Sequence, residues 1–227
     1  MQPLRRFLIP ASLLMGLATQ AHDLVVPGIG QRAIVLDGHL DSAEWAGAAV
    51  RALDDGMTVR LQHDGRHLYI AVTGSRFGFN SLCTVRGDAV RILHASAALG
   101  AVTYTRRGDE WTSGDTAFTY GMRNTDTTAA ARAERAAYLA ANGWVANTVR
   151  MGAGLAQEFQ VSLDQLADPP RLALGRFVPV AGTAEIARWP ATVDATDGCV
   201  APRLVSGYVP TPLRFDPTRW LTLRLQR

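Results

Sequence analysis

Residues 57–73 constrain the fold more tightly than any other stretch. Val59 and Leu61 alternate with Arg60 and Gln62. Beyond Asp64, Gly65 and Arg66, the residues Leu68, Ile70 and Val72 recur at every second position. Apolar residues at a period of two put one face of a strand against a core, and a short Gly-containing turn between two such runs closes a hairpin. Just upstream, residues 34–36 read as a short strand, Asp37 and Gly38 as its turn, and Asp41 or Ser42 as the cap of a short helical segment carrying Trp45. Leu40 and Ala48 share a helical face with Trp45, which is therefore expected in the core.

The rest of the chain repeats the strand pattern. Residues 81–85 and 88–96 read as strands, with Val90 and Ile92 on one face. Residues 101–106 and 110–112 pair across Arg107, Gly108 and Asp109, and Phe118 to Tyr120 extend that sheet. Residues 144–149, 157–163, 171–178 and 220–225 are further strands. In the 157–163 run Phe159, Val161 and Leu163 are expected to point in, and Glu158, Gln160 and Ser162 out. One helix interrupts the pattern, around 128–141: a hydroxyl and acid cluster precedes an alanine-rich body, and Asn142-Gly143 ends it. Residues 22–30, with Pro27, Gly28 and Gly30, read as an extended surface leader. The loop-rich tract 182–217 is expected to wrap one sheet edge, tied down by Cys199.

These elements imply an all-β, antiparallel β-sandwich with one inserted helix. At 227 residues, with 48% hydrophobic residues, 21 glycines and 11 prolines, residues 22–227 suffice for a single domain rich in turns. Residues 1–21 read as a secretory signal peptide: Arg5 and Arg6, then an apolar run too short to span a bilayer, then Ala18 and Ala21 before a cleavage point. The expected product is periplasmic or secreted and has no transmembrane segment. Cleavage would leave 21 basic against 20 acidic residues, since 23 − 2 = 21, and there is no long basic run. Nucleic acid is thereby disfavoured as a partner. The two cysteines, Cys83 and Cys199, form a disulfide on this reading, as an even count in an exported chain favours. The alternative is two buried thiols.

Searching for chemistry gives no nucleophile elbow, P-loop, His-Glu-x-x-His or dinucleotide glycine fingerprint. Asp41 and Glu44 read as helix-capping residues rather than a catalytic pair. His63 and His67 flank the hairpin turn and read as exposed turn residues. The series Val35, Leu36, Asp37, Gly38, Leu40, Asp41, Glu44 and Trp45, followed by Asp64, Gly65, Leu68, Tyr69, Ile70, Ala71 and Val72, resembles the opening of the DOMON-like superfamily, in particular the family 9 carbohydrate-binding modules. The turn Ser162, Leu163, Leu166 is similar to one in those modules.

The resemblance implies a non-catalytic sandwich that binds carbohydrate, with a terminal sugar held between two tryptophans and calcium as a structural ion. The ligand-binding candidates are Trp111, Trp144 and Trp189, with Tyr120 and Arg123 beside them. Flat aromatic faces stack on sugar rings, and planar polar groups read hydroxyls; Arg91, Arg106, Asn124, Asn147, Gln157 and Gln160 supply more of the latter. Each tryptophan is equally readable as core packing. Some DOMON domains hold haem between Met and His. Here His94 with Met57, Met122 or Met151 would be the ligands, and no spacing favours a pair. The third class is a protein-interaction module of the cell envelope, which gains weight if the tryptophans are buried.

Overall fold

A computed structural model describes residues 23–30, 32–53, 56–119, 126–147, 156–200 and 213–227. The expected signal segment, with Tyr120, Arg123, Asn124, Met122, Met151 and the end of the 144–149 run, lies outside the described residues. The strands are β1 (Asp23–Val26), β2 (Ala49–Ala52), β3 (Thr58–His63), β4 (His67–Thr73), β5 (Phe79–Arg86), β6 (Ala89–Ala95), β7 (Leu99–Arg107), β8 (Glu110–Thr119), β9 (Trp144–Ala146), β10 (Gln157–Ser162), β11 (Arg171–Val180), β12 (Thr183–Trp189) and β13 (Leu221–Leu225); the helix α1 is Ala129–Asn142.

The strands form an eight-stranded sheet, ordered β1-β13-β11-β5-β6-β7-β8 with β12 also on β11, and a five-stranded sheet, ordered β2-β3-β4-β10-β9. This is the expected all-β sandwich with its helix. The hairpin sits in the predicted register, Val59 opposite Val72 and Leu61 opposite Ile70. Leu61, Leu68, Ile70, Phe159, Leu82, Leu93 and Leu174 are fully buried in one cluster between the sheets. The alternate residues of the large sheet, among them Cys83, Val90, Ile92, Tyr104 and Ala173, form a second cluster on its outer face. β5 and β6 are thus buried on both faces.

Each sheet has a cover on its outer face, and each cover hangs from a buried carboxylate. Over the small sheet lie residues 34–48. Asp41 caps their single helical turn, accepting from Ala43 N at 2.7 Å, and Trp45 N returns to Asp41 O at 3.0 Å. Glu158 lies beneath, 1% exposed, accepting from Gly38 N at 2.7 Å and from Trp45 Nε1 at 3.2 Å. Over the large sheet, residues 190–200 and 213–220 carry Val193, Cys199, Phe215 and Trp220 into the second cluster. Asp197, 4% exposed, accepts there from Cys199 N at 2.8 Å, Asp216 N at 3.0 Å and Trp220 Nε1 at 3.2 Å. The Cys83–Cys199 disulfide, closing a separation of 116 residues, pins this cover to β5. Gly175 of β11 leaves room for it: a Cβ there would stand 2.9 Å from Cys199 O.

Five expectations are corrected. Residues 23–26 are not a surface leader; Leu24 and Val26 alternate into the core on β1, which pairs parallel with β13, so the sandwich is not wholly antiparallel. Residues 34–36 are not a strand, because they cross the face of the small sheet instead of joining its edge. The Trp45 segment is one hydrogen-bonded turn without an assigned helix. Glu158 does not face solvent, because the residue 34–48 cover seals that side of β10. Beyond the β12 hairpin, residues 190–200 and 213–217 of the tract expected at a sheet edge lie on a sheet face, where the disulfide holds them.

Candidate functional site

With both sheet faces covered, the described openings lie at the ends of the sandwich and beside the helix. One concave surface among them is at the end where α1 finishes. Thr128 starts the helix by accepting from Ala131 N at 3.3 Å, and Gly143, with φ 71°, stops it by donating to Leu139 O at 2.7 Å. Tyr138 packs edge-on to the buried Trp144 ring, with centroids 6.0 Å apart, and this wedges the helix end against β9. Ser162 N donates to Gly143 O at 2.9 Å and Leu163 N to Arg66 O at 2.8 Å, gathering the helix end, the β3–β4 turn and the Leu163–Gln165 turn of 3-10 helix.

Between these and the end of the large sheet runs a groove of about 560 Å³, within the range of small-ligand sites. Arg91 and Thr103, opposite each other on β6 and β7, form one wall. Asn142, Asp164, Gln165 and His67 form the other. A hollow of about 380 Å³ shares His67, Ser162 and Asp164 with it. Arg91 Nη2 donates to Asn142 O at 3.0 Å, satisfying a carbonyl at the helix C-terminus, where a cation is also favoured by the helix dipole.

His67 is oriented from behind. Asp64 accepts from His67 N at 2.6 Å, Arg66 N at 2.7 Å and Tyr69 Oη at 2.9 Å, and lies 3.1 Å from His67 Nδ1. Burial alone would raise the Asp64 pKa, but these donors outweigh it and hold the carboxyl below its usual range. The groove thus offers a guanidinium, two primary amides, an imidazole, a carboxylate and hydroxyls. That is a hydrogen-bonding surface.

The tryptophans are placed differently. Trp144 is 0% exposed and stacks on Phe159 at 6.5 Å, between the sheets. Trp189, 6% exposed, joins that cluster. Trp111, 7% exposed, belongs to the outer cluster and meets Phe215 edge-on at 5.2 Å. Trp111 and Trp144 thus lie on opposite sides of the large sheet and do not pair across a ligand. Trp111 does show an edge to a cleft of about 280 Å³, with Arg106, Asp88, Asp168 and Arg171 around it.

Of the polar candidates, Arg91 lines the groove and Arg106 the Trp111 cleft. Asn147 and Gln157 are buried in protein hydrogen bonds: Asn80 Nδ2 donates to Gln157 Oε1 at 2.6 Å, Gln157 Nε2 to Ala95 O at 2.9 Å and Asn147 Nδ2 to Ala156 O at 2.9 Å. Gln160 donates to Tyr69 Oη at 3.3 Å and lines a small cleft under the helix. His94, 6% exposed on the outer face of the large sheet, shares a 3.0 Å hydrogen bond with Ser81 Oγ, and burial lowers its pKa to about 4. Met57 belongs to the inter-sheet cluster, on the other side of that sheet. Among the described residues no three His, Cys, Asp or Glu side chains gather as metal ligands, and no helix is long and apolar enough to cross a membrane.

Asn142, Asp164 and Gln165 escaped sequence reasoning because each had a structural reading, as a helix stop or part of a turn. The available signal was that polar side chains at three separate chain reversals must converge on one end of a sandwich. The chain matches no protein-family model, no curated protein and no solved structure.

Proposed function

We propose that this protein is an exported, non-catalytic binding module whose ligand is a saccharide, held in the groove at the end of α1. The observation that carries the reading is the groove lining: Arg91, Asn142, Gln165, Asp164, His67 and Thr103 alternate donors and acceptors around a space of about 560 Å³. Hydroxyl-rich rings require this mixture, and planar groups such as guanidinium and amide can meet adjacent hydroxyls in pairs. The buried Cys83–Cys199 bridge supports an oxidising compartment. The opening-motif resemblance points to the same ligand class, and Trp111 supplies an apolar edge in the neighbouring cleft.

The test is a glycan-array assay on the oxidised protein, with and without calcium, followed by titration of any hit. Gln165→Ala is expected to weaken a true ligand by roughly 1–2 kcal/mol, the scale of one or two lost hydrogen bonds. A blank array in both conditions rejects the saccharide reading. The burial of Trp111, Trp144 and Trp189 favours a second reading, a protein-interaction module, since sugar stacking needs an open ring face. Gln165→Ala separates them, since a loss of saccharide affinity at unchanged thermal stability supports the first reading.

A further inference from the structure

We infer that the saccharide taken by this groove carries a carboxylate, and that Arg91 reads it. This rests on the groove being the ligand site.

Arg91 leaves β6 on the same side as Leu93, toward the space between the sheets, because its neighbours Val90 and Ile92 point to the outer cluster. It emerges at the sandwich end on the groove wall. Among the described residues its side chain makes one hydrogen bond, from Nη2 to Asn142 O. Among the described residues no acidic side chain pairs with it. None of its other nitrogens is among the buried polar atoms left without a partner, and the residue lines the groove.

A half-buried guanidinium with most of its donors unused is matched by one ligand group above others. A carboxylate accepts two parallel N–H bonds from the fork and returns the counter-charge that the protein does not provide. Burial already acts against the Arg91 charge, lowering its pKa, with the Tyr138 hydroxyl pulling the other way. Asp164 on the facing wall would repel a second anion and accept from hydroxyls. It therefore sets the orientation: acid group toward Arg91, hydroxyls toward Asp164 and Gln165. A uronic acid residue in a polysaccharide has this pattern.

The bond to Asn142 O gives Arg91 a structural duty as well, so the experiment separates the two roles. Calorimetric titrations would use oligomers of galacturonate, glucuronate and mannuronate beside the neutral galactose, glucose and mannose oligomers of equal length. The proteins are wild type, Arg91→Lys, Arg91→Gln and Gln165→Ala, each checked by thermal melting. Wild type is expected to prefer a uronate oligomer by roughly tenfold or more, as a charge-assisted bidentate pair implies. Arg91→Lys keeps a cation at the helix end but loses the fork, and most of the preference should go with it. Arg91→Gln should abolish the preference, lowering affinity for the uronate oligomer by a larger factor than for the neutral one. Gln165→Ala should weaken acidic and neutral oligomers alike. Equal affinity of wild type for both classes, or a preference surviving in Arg91→Gln, overturns the inference and leaves the module reading standing. No binding of either class overturns both.

Discussion

At the scale of single residues, Glu158 does most to decide how this chain responds to its surroundings. Burial raises its pKa to about 8, and the nearby charges of Asp37 and Glu44 add to that; the Gly38 and Trp45 donors oppose them. The unfolded chain releases this proton near the ordinary value of 4.5, while the folded chain holds it until about 8. Stability from this group is therefore full below about pH 4.5 and lost as pH rises to about 8. His94 works from the other side. Its folded pKa of about 4 lies below its ordinary 6.5, so stability falls as pH drops from 6.5 toward 4. Above pH 6.5 only the Glu158 effect remains, so thermal melts from pH 6.5 to 9 should give a falling curve for wild type and a flatter one for Glu158→Gln. Parallel curves would remove Glu158 as the cause.

At the scale of elements, the site depends on how α1 stops. Gly143 holds a left-handed conformation, and a Cβ there would stand 2.6 Å from Gln165 Cγ. Gly143→Ala should cost about 1–2 kcal/mol from the backbone alone. It should also push Gln165 out of the groove and weaken whatever Gln165 holds. Denaturant titration and ligand binding measured together check this: a stability loss with unchanged affinity would detach Gln165 from the site. The helix limits were legible because Thr128, the alanine body and Asn142-Gly143 act locally. The hairpin was legible because its alternation and its turn agree. β1 was obscured because three apolar residues before Pro27 and Gly28 are too short a run to separate from coil, and parallel pairing with β13 is a contact between segments far apart in the chain.

At the scale of the whole molecule, the covers and the disulfide decide what remains open. Residues 190–200 and 213–220 hide the outer face of the large sheet, and the Cys83–Cys199 bridge joins them to it across 116 residues. Replacing both cysteines by serine should lower unfolding stability by roughly 4–5 kcal/mol on the loop-entropy model. It should also expose the Trp111–Phe215 contact, read as a shift in tryptophan fluorescence. If the double variant keeps wild-type stability and emission, Asp197 and the apolar contacts hold the cover without the bridge. The same covering explains the tryptophans. An aromatic on a strand is a platform only when the face it occupies is open, and the positions of Trp111, Trp144 and Trp189 are covered but for one Trp111 edge.

By itself the sequence determined what local chemistry can specify: the sandwich class, the helix and its caps, the central hairpin register and the pairing of two cysteines. Each follows from residues close in the chain or, for the cysteines, from their number. Only the tertiary structure decided that Glu158 is buried, that Trp111 and Trp144 face opposite ways, and that Arg91, Asn142, Asp164 and Gln165 share one groove. The period-two pattern says that a strand has two faces. It cannot say which distant segment lies on the second one, because that is fixed by contacts more than a hundred residues apart, such as Gly38 with Glu158 and Cys83 with Cys199.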